Sequence, residues 1–325
     1  MTASDRSTAR ARHAASAAEL ASARLIAIDW GTSNLRAALL AEGGRTLAER
    51  SAPGGVMAVP DGRYAQTLSD LCGDWIGSSR LPLLASGMIG SRQGWQEAAY
   101  VECPAALAPV AAQLTRIPLD AGAALHIVPG LRCTGADGQT DVMRGEETQL
   151  WGAGLAAGAV CVLPGTHAKW AWMGDAGRVE TFRTYLTGEL YALLTQHGIL
   201  GRLMTFGQAR PQAFDAGVRL GLAEHANATH VIFAARTAGL MGRVEPAGLP
   251  DFLSGILIGI EIGSATRDHA PARVTLLGDD ALVARYETAL RLAGIAPVRA
   301  PADATARGLW RVAVAAGLVD QGPST

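Results

Sequence analysis

At 325 residues the chain is too long for one ordinary hydrophobic core and suits two domains. Its 28 basic and 29 acidic residues leave a net charge of −1, which gives no basic footprint for nucleic acid. Cys72, Cys103, Cys133 and Cys161 are widely spaced, with no Cys-x-x-Cys pair, and read as buried thiols of a reducing compartment.

Residues 1–23 are rich in Ala, Ser, Arg and Thr and lack an apolar segment, so they read as a disordered tail and not as a signal peptide or anchor. A three-strand meander is predicted over 25–51, then a helix near Ala65–Ile76 and an apolar strand, Leu81–Ala85, that runs into Ser86-Gly87. Leu125–Val128 is a further strand, Thr134–Asp141 a polar loop, and helical spacing runs from Glu146 toward Ala157. A second meander over 159–183 opens the second half. Helical patterns follow at Gly188–His197, Pro211–Glu224, Thr229–Met241 and Leu249–Ser264, then a strand at Val274–Leu277 and helices near 281–293 and 302–317. Strands alternating with helices make the class α/β. The expected domains are 24–153 and 154–325. The most membrane-like stretch, Phe252–Ala265, falls short of the ~20 residues a span needs and contains Glu261, so a soluble, cytoplasmic protein with no membrane partner is expected. Gly152-Ala153-Gly154 and Gly158 trail a helix and precede a strand, the reverse of a dinucleotide fingerprint.

The two meanders repeat one device. Displaced by 134 positions, Gly31-Thr32 falls on Gly165-Thr166 and the turn glycine Gly43 on Gly177. In each copy an apolar run ends in a Gly-Thr loop and returns as a strand, so the loop is a hairpin tip with exposed N–H groups and a hydroxyl. Backbone amides converging on a concavity hold anions such as phosphates without side-chain charge. Asp29 precedes the first loop where the second copy has Leu163; one carboxylate with waters and phosphates suits a single Mg²⁺. Arg36 and Lys169 lie just past the loops, and His167 sits inside the second, where it either meets phosphate or fills space.

The stretches Ile28–Arg36, Gly87–Ser91, Val142–Leu150, Pro164–Trp170, Phe182–Thr184, Thr187–Leu190 and Phe252–Gly255 together resemble the 2-dehydro-3-deoxygalactonokinase family, within the acetate and sugar kinase/Hsc70/actin superfamily. The resemblance implies two ribonuclease-H-like domains with a nucleotide cleft between them and a last helix that packs back on the first domain. It implies ATP with Mg²⁺ as cofactors, and Asp29 as the metal residue. It further implies nucleotide contacts from Gly31, Thr32, Ser33, Asn34, Gly165, Thr166, His167 and Gly278, although Gly278 is followed here by Asp279-Asp280 where relatives carry small hydroxyl residues.

Superfamily sugar kinases place a carboxylate followed by threonine at the start of the helix before the second phosphate strand. Glu147-Thr148 fits that pattern better than Glu146, so Glu147 is preferred as base with Glu146 the rival; first-turn glutamates are also favoured by the helix dipole alone. A keto-acid substrate needs a cation, for which Arg144 and Arg183 are the candidates. Ser86, Gly87, Trp95 and Gln96 are candidates for the sugar pocket. The expected reaction is ATP-dependent phosphorylation of the terminal hydroxyl of 2-dehydro-3-deoxy-D-galactonate, giving the 6-phosphate. The alternatives are a kinase for another sugar or sugar acid on the same scaffold and a non-catalytic nucleotide-binding sensor, and a homodimer is possible.

Overall fold

The computed structural model describes residues 15–135 and 138–320. The chain divides into two compact units: the first takes the chain up to Ala157, Asp175–Glu180 and the chain from Ala302, and the second takes Gly158–Gly174 and Thr181–Pro301.

In the first unit β1 (Leu25–Trp30), β2 (Asn34–Leu40) and β3 (Thr46–Pro53) form an antiparallel meander, and β4 (Leu83–Ser86) pairs parallel with β1. After these come β5 (Tyr100–Glu102), β6 (Thr115–Pro118), β7 (Ala124–Ile127), β8 (Gly130–Thr134) and β9 (Thr140–Met143). The main sheet has the order β3-β2-β1-β4-β7-β6, with β4 and β7 parallel, while β5, β8 and β9 make a small separate sheet. Leu25, Ile26, Ala27, Ile28 and Trp30 are all buried, as expected of a strand covered on both faces.

The second sheet, β10 (Val160–Leu163), β11 (Ala168–Met173), β12 (Val179–Tyr185), β13 (Arg273–Leu276) and β14 (Ala296–Arg299), is ordered β12-β11-β10-β13-β14 and falls in the second unit except for Val179 and Glu180. β10 is antiparallel to β11 and parallel to β13, which is parallel to β14. Both sheets therefore carry a three-strand meander followed by parallel strands on the far side of the first strand, the ribonuclease-H-like arrangement. Among the described residues no helix is long and apolar enough to cross a membrane. The four cysteines are thiols outside any disulfide, and Cys72, Cys133 and Cys161 are buried.

Several elements differ from the sequence reading, each for a local reason. Part of the expected disordered tail is ordered: Ala17–Ser22 is a helix closed by a Ser16/Glu19 capping box, and Leu20 packs on the first unit's core. Residues 1–14 lie outside the described residues. The helix from Glu146 stops at Ala153, where Gly154 turns left-handed at φ 65°. The stretch Thr134–Asp141, expected as a loop, holds the start of β9, paired with β8. The pattern Thr229–Met241 is two helices, Ala228–Ile232 and Ala234–Leu240.

The helix Ala304–Ala315 packs on Glu146–Ala153 with backbone against backbone. A methyl group on Gly308 would lie 1.9 Å from the Thr148 carbonyl oxygen, and one on Gly152 would lie 1.7 Å from that of Ala304. This contact fixes the helix that starts with both candidate glutamates. Gly308→Ala is expected to cost about 3 kcal/mol of stability through overpacking, read as a melting temperature several degrees lower; an unchanged melting curve would mean that the two helices do not meet this closely.

Candidate active site

In the first unit, three backbone segments converge at glycines. Asp29, one residue before the end of β1, lies opposite Arg36 on β2 and level with Ser86 on β4. Gly87, at φ 96°, passes the end of β1 so closely that a methyl group would lie 2.7 Å from the Trp30 carbonyl oxygen. Gly145, at φ 106°, would in turn place a methyl group 3.1 Å from the Gly87 Cα. L-residues rarely adopt either conformation. The end of β1, the loop after β4 and the start of the helix Glu146–Ala153 are thereby brought together.

The first Gly-Thr loop is braced from behind. The Gly31 N–H donates to the Asn34 carbonyl at 3.0 Å, and the Gly31 and Ser33 carbonyls accept from Val56 N–H at 3.0 Å and Gly54 N–H at 3.3 Å. Gly55 presses on the loop, where a methyl group would lie 2.1 Å from the Thr32 carbonyl oxygen. Thr32, Ser33 and Asn34 are exposed at the tip.

Asp29 and Arg36 form an ion pair at 3.5 Å, with the arginine side chain 65% exposed and the aspartate 24%. Burial pushes the Asp29 carboxyl above its ordinary value, Arg36 opposes the rise and the charge of Glu146 adds to it. Among the described residues no three His, Cys, Asp or Glu side chains cluster as a metal site, so a divalent cation at this loop would rest on Asp29, with water and phosphate oxygens completing its shell. That donor set is the one Mg²⁺ favours.

The adjacent glutamates have separate environments. Glu146 is half-buried, and its Oε2 accepts from the Arg144 N–H at 2.9 Å. Glu147, the preferred base in the sequence reading, has no exposed surface; it accepts from Gly145 N–H at 2.7 Å and from the Thr148 hydroxyl at 3.0 Å. Burial, with the charge of Glu146, pushes its carboxyl up to about 8. The Arg144 guanidinium is buried over the Tyr100 ring, 4.3 Å from its centroid, and donates through Nη2 to the Ala98 carbonyl at 2.8 Å. Its Nε and Nη1 have no protein partner.

Ser86 is buried, Gly87 is the close-packed glycine already described, and Gln96 is exposed. Trp95 stacks on Tyr64 at 6.0 Å, and Tyr64 meets Trp30 edge-on at 5.8 Å. Sequence reading missed Tyr64, which ties this loop down through its hydroxyl to the Gln93 carbonyl at 2.9 Å; its position at the start of a helix carried no signal of that contact.

In the second unit the loop Pro164–His167 is held by two neighbours. A methyl group on Gly188 would lie 2.4 Å from the Gly165 carbonyl oxygen, and Glu189 N–H donates to the Thr166 carbonyl at 2.9 Å. His167 Nε2 meets Glu189 Oε2 at 2.5 Å. Gly278, at φ 157°, would bring a methyl group 3.4 Å from the Pro164 carbonyl oxygen. The two aspartates that follow it have local tasks: Asp279 caps the helix Asp280–Leu292 by accepting from the Ala281 N–H at 3.0 Å, and Asp280 pairs with Arg299 at 2.9 Å.

Arg183 is not brought to this loop by any of these contacts. It lies over Trp172, 5.7 Å from the ring centroid, and lines a cavity of about 220 Å³ with Thr181, Ala265, Asp268 and His269.

Two sheets of this topology, each with a Gly-Thr hairpin tip after its first strand, define the acetate and sugar kinase/Hsc70/actin class. A family model described as 2-keto-3-deoxy-galactonokinase matches residues 29–312. The 2-dehydro-3-deoxygalactonokinase of Escherichia coli (strain K12) is 38% identical over 275 residues, covering 84% of this chain and 91% of its own. DgoK1 of Rhizobium meliloti (strain 1021), named "Probable 2-dehydro-3-deoxygalactonokinase", is 38% identical over 301 residues, covering 87% and 97%. The crystal structure of a Sinorhizobium meliloti protein named for the same activity superposes with a TM-score of 0.78 at 37% identity, covering 90% of this chain and 96% of that one. The chain belongs to the 2-keto-3-deoxy-galactonokinase family and is a carbohydrate kinase by that membership.

The Glu147 carboxyl gives a stability test with a defined sign. Its folded-state pKa, about 8, lies above the ordinary 4.5, so the folded protein keeps a proton that the unfolded chain releases. That contribution is complete below about pH 4.5 and is lost as pH rises to about 8. The stability of wild type relative to Glu147→Gln, from chemical denaturation, is therefore expected to fall between pH 5 and pH 8; a difference independent of pH would contradict the buried, protonated carboxyl.

Proposed function

We propose that this protein transfers the γ-phosphoryl group of ATP to the 6-hydroxyl of 2-dehydro-3-deoxy-D-galactonate in the cytoplasmic breakdown of galactonate. The observation that carries the nucleotide half of this reading concerns Gly31 and Gly165. Neither has a positive φ, and a methyl group on either would meet nothing nearer than 3.8 Å and 3.9 Å. Neither the backbone nor the packing requires glycine there, unlike Gly87 and Gly188. What the missing side chain leaves is room at a loop tip for a phosphate to approach backbone N–H groups. The names of the relatives support the sugar-acid half.

Phosphoryl transfer asks the protein to hold phosphates, neutralise charge and align the accepting hydroxyl. Thr32, Ser33 and Asn34 at the first loop and Thr166 and His167 at the second are assigned to the phosphates, and Gly278 to the nucleoside end. Asp29 holds Mg²⁺, which when bound neutralises phosphate charge. We assign the proton acceptor to Glu146, because it is the solvent-accessible member of the pair and its charge is felt at Asp29. Glu147 holds the Gly145 N–H and shapes the helix start.

Arg144 is the cation for the acceptor's carboxylate: a buried guanidinium with two unpartnered nitrogens gains most from a ligand anion. Arg183, stacked on Trp172, is left out of that role. Trp95 and Gln96, with Ser86 and Gly87 behind them, are assigned to the sugar. Because the 6-hydroxyl must be free to react, the bound acid is a furanose or an open chain.

The test pairs fold with function. Gly31→Ala and Gly165→Ala are expected to keep the wild-type melting temperature while losing about 10²-fold in kcat/KM for ATP, the cost of displacing a reactant by roughly 1 Å. Glu146→Gln is expected to lower kcat by about 10²- to 10⁴-fold with ATP affinity retained. These are measured by coupled ADP release with a panel of sugar acids. Normal ATP kinetics in both glycine variants would remove the loops from the nucleotide site, and a Glu146→Gln enzyme within a few-fold of wild type would remove the base.

A further inference from the structure

The core of the second unit contains a carboxylate that none of these roles uses. Glu261 sits in the apolar helix Leu249–Ala265 and is 1% exposed. Its Oε1 accepts from Trp170 Nε1 at 2.8 Å, and its Oε2 accepts from the Tyr286 hydroxyl at 2.7 Å and from the Thr187 hydroxyl. Burial raises its carboxyl above the ordinary value, and the three donors oppose that rise. Simple filling of this core would be served as well by an apolar side chain.

The three donors come from the elements that surround the second Gly-Thr loop. Trp170 is on β11, the strand by which the chain leaves the loop. Tyr286 is on the helix Asp280–Leu292, which follows Gly278 beside Pro164. Thr187 is the first residue of the helix Thr187–Gln196. The next two residues of that helix are the ones that grip the loop, Gly188 against the Gly165 carbonyl and Glu189 on the Thr166 carbonyl and the His167 ring.

We propose that Glu261 is a positioning residue for phosphate binding: by holding the Thr187 hydroxyl it fixes the helix start that sets Thr166 and His167. The inference rests on the reading that this loop binds ATP phosphate. A carboxylate suits the task because one group with two oxygens orients donors from three elements at once, and hydrogen bonds to a charged acceptor are the strong ones.

The test uses ATP affinity by calorimetry, KM for the sugar acid and the melting temperature. Thr187→Val and Glu261→Gln are each expected to weaken ATP binding about tenfold, the loss of one hydrogen bond to a buried charged group, with the sugar-acid KM unchanged. The double variant is expected to bind no more weakly than either single one, since both break one chain of contacts. Thr187→Ser, which restores the hydroxyl, should restore affinity. Ile262→Val, a change in the same core, should lower the melting temperature and leave ATP affinity alone.

If Thr187→Val binds ATP like wild type while Thr166→Val binds it weakly, the loop holds phosphate without help from Glu261 and the inference is overturned. If Thr166→Val itself binds ATP like wild type, the phosphate-loop reading falls and takes the inference with it. Should Glu261→Gln fail to fold, the Thr187→Val and Thr187→Ser pair decides the matter.

Discussion

Close approach of one backbone to another, allowed only where a side chain is missing, is the constraint on which the site depends. Gly87 lets the loop after β4 touch the end of β1, and Gly145 lets the glutamate helix touch that loop. Gly188 does the same for the second Gly-Thr loop. A methyl group at Gly87 or Gly188 would overlap a backbone carbonyl oxygen, and one at Gly145 would crowd the Gly87 Cα; interiors packed like crystals absorb such shifts poorly. Gly31 and Gly165 belong to a different kind, since the protein leaves the space beside them open. One set of glycines draws backbone segments together, and the other leaves open space beside a loop tip.

The electrostatics follow from that convergence. Bringing the helix start against the end of β1 puts Glu146 close enough to Asp29 for its charge to raise the Asp29 carboxyl, which burial raises most, while Arg36 opposes the rise. Glu147, one residue on, is turned into the protein and shifted far from its ordinary value by burial. Two adjacent residues of one helical turn thus meet different surroundings, one half-buried and one fully enclosed.

What the sequence made legible was contiguous. The paired Gly-Thr loops could be read because each is an apolar run ending in a short tip, and the family motifs lie in unbroken stretches. The choice between Glu146 and Glu147 was not legible, since helix rotation there is set by the positive φ of Gly145 and by the packing of Gly308 on Thr148, 160 residues away in sequence. Arg183 was a candidate because it ends the second meander; its stacking on Trp172 could not be read there, since it depends on the cross-strand geometry of β11 and β12. Asp279 and Asp280 depart from the small hydroxyl residues of relatives, and their helix cap and ion pair could not be read from that departure. Glu261 left a trace, a lone carboxylate amid isoleucines and glycines, yet its three donors come from positions 170, 187 and 286 and no local pattern joins them.

The products that leave the enzyme define the reaction. Phosphorus NMR of the reaction with ATP, Mg²⁺ and 2-dehydro-3-deoxy-D-galactonate should show ADP and a phosphomonoester in equal amounts, the ester coupled to the two protons on C6. Release of ADP with inorganic phosphate alone, or an ester on another carbon, would contradict it.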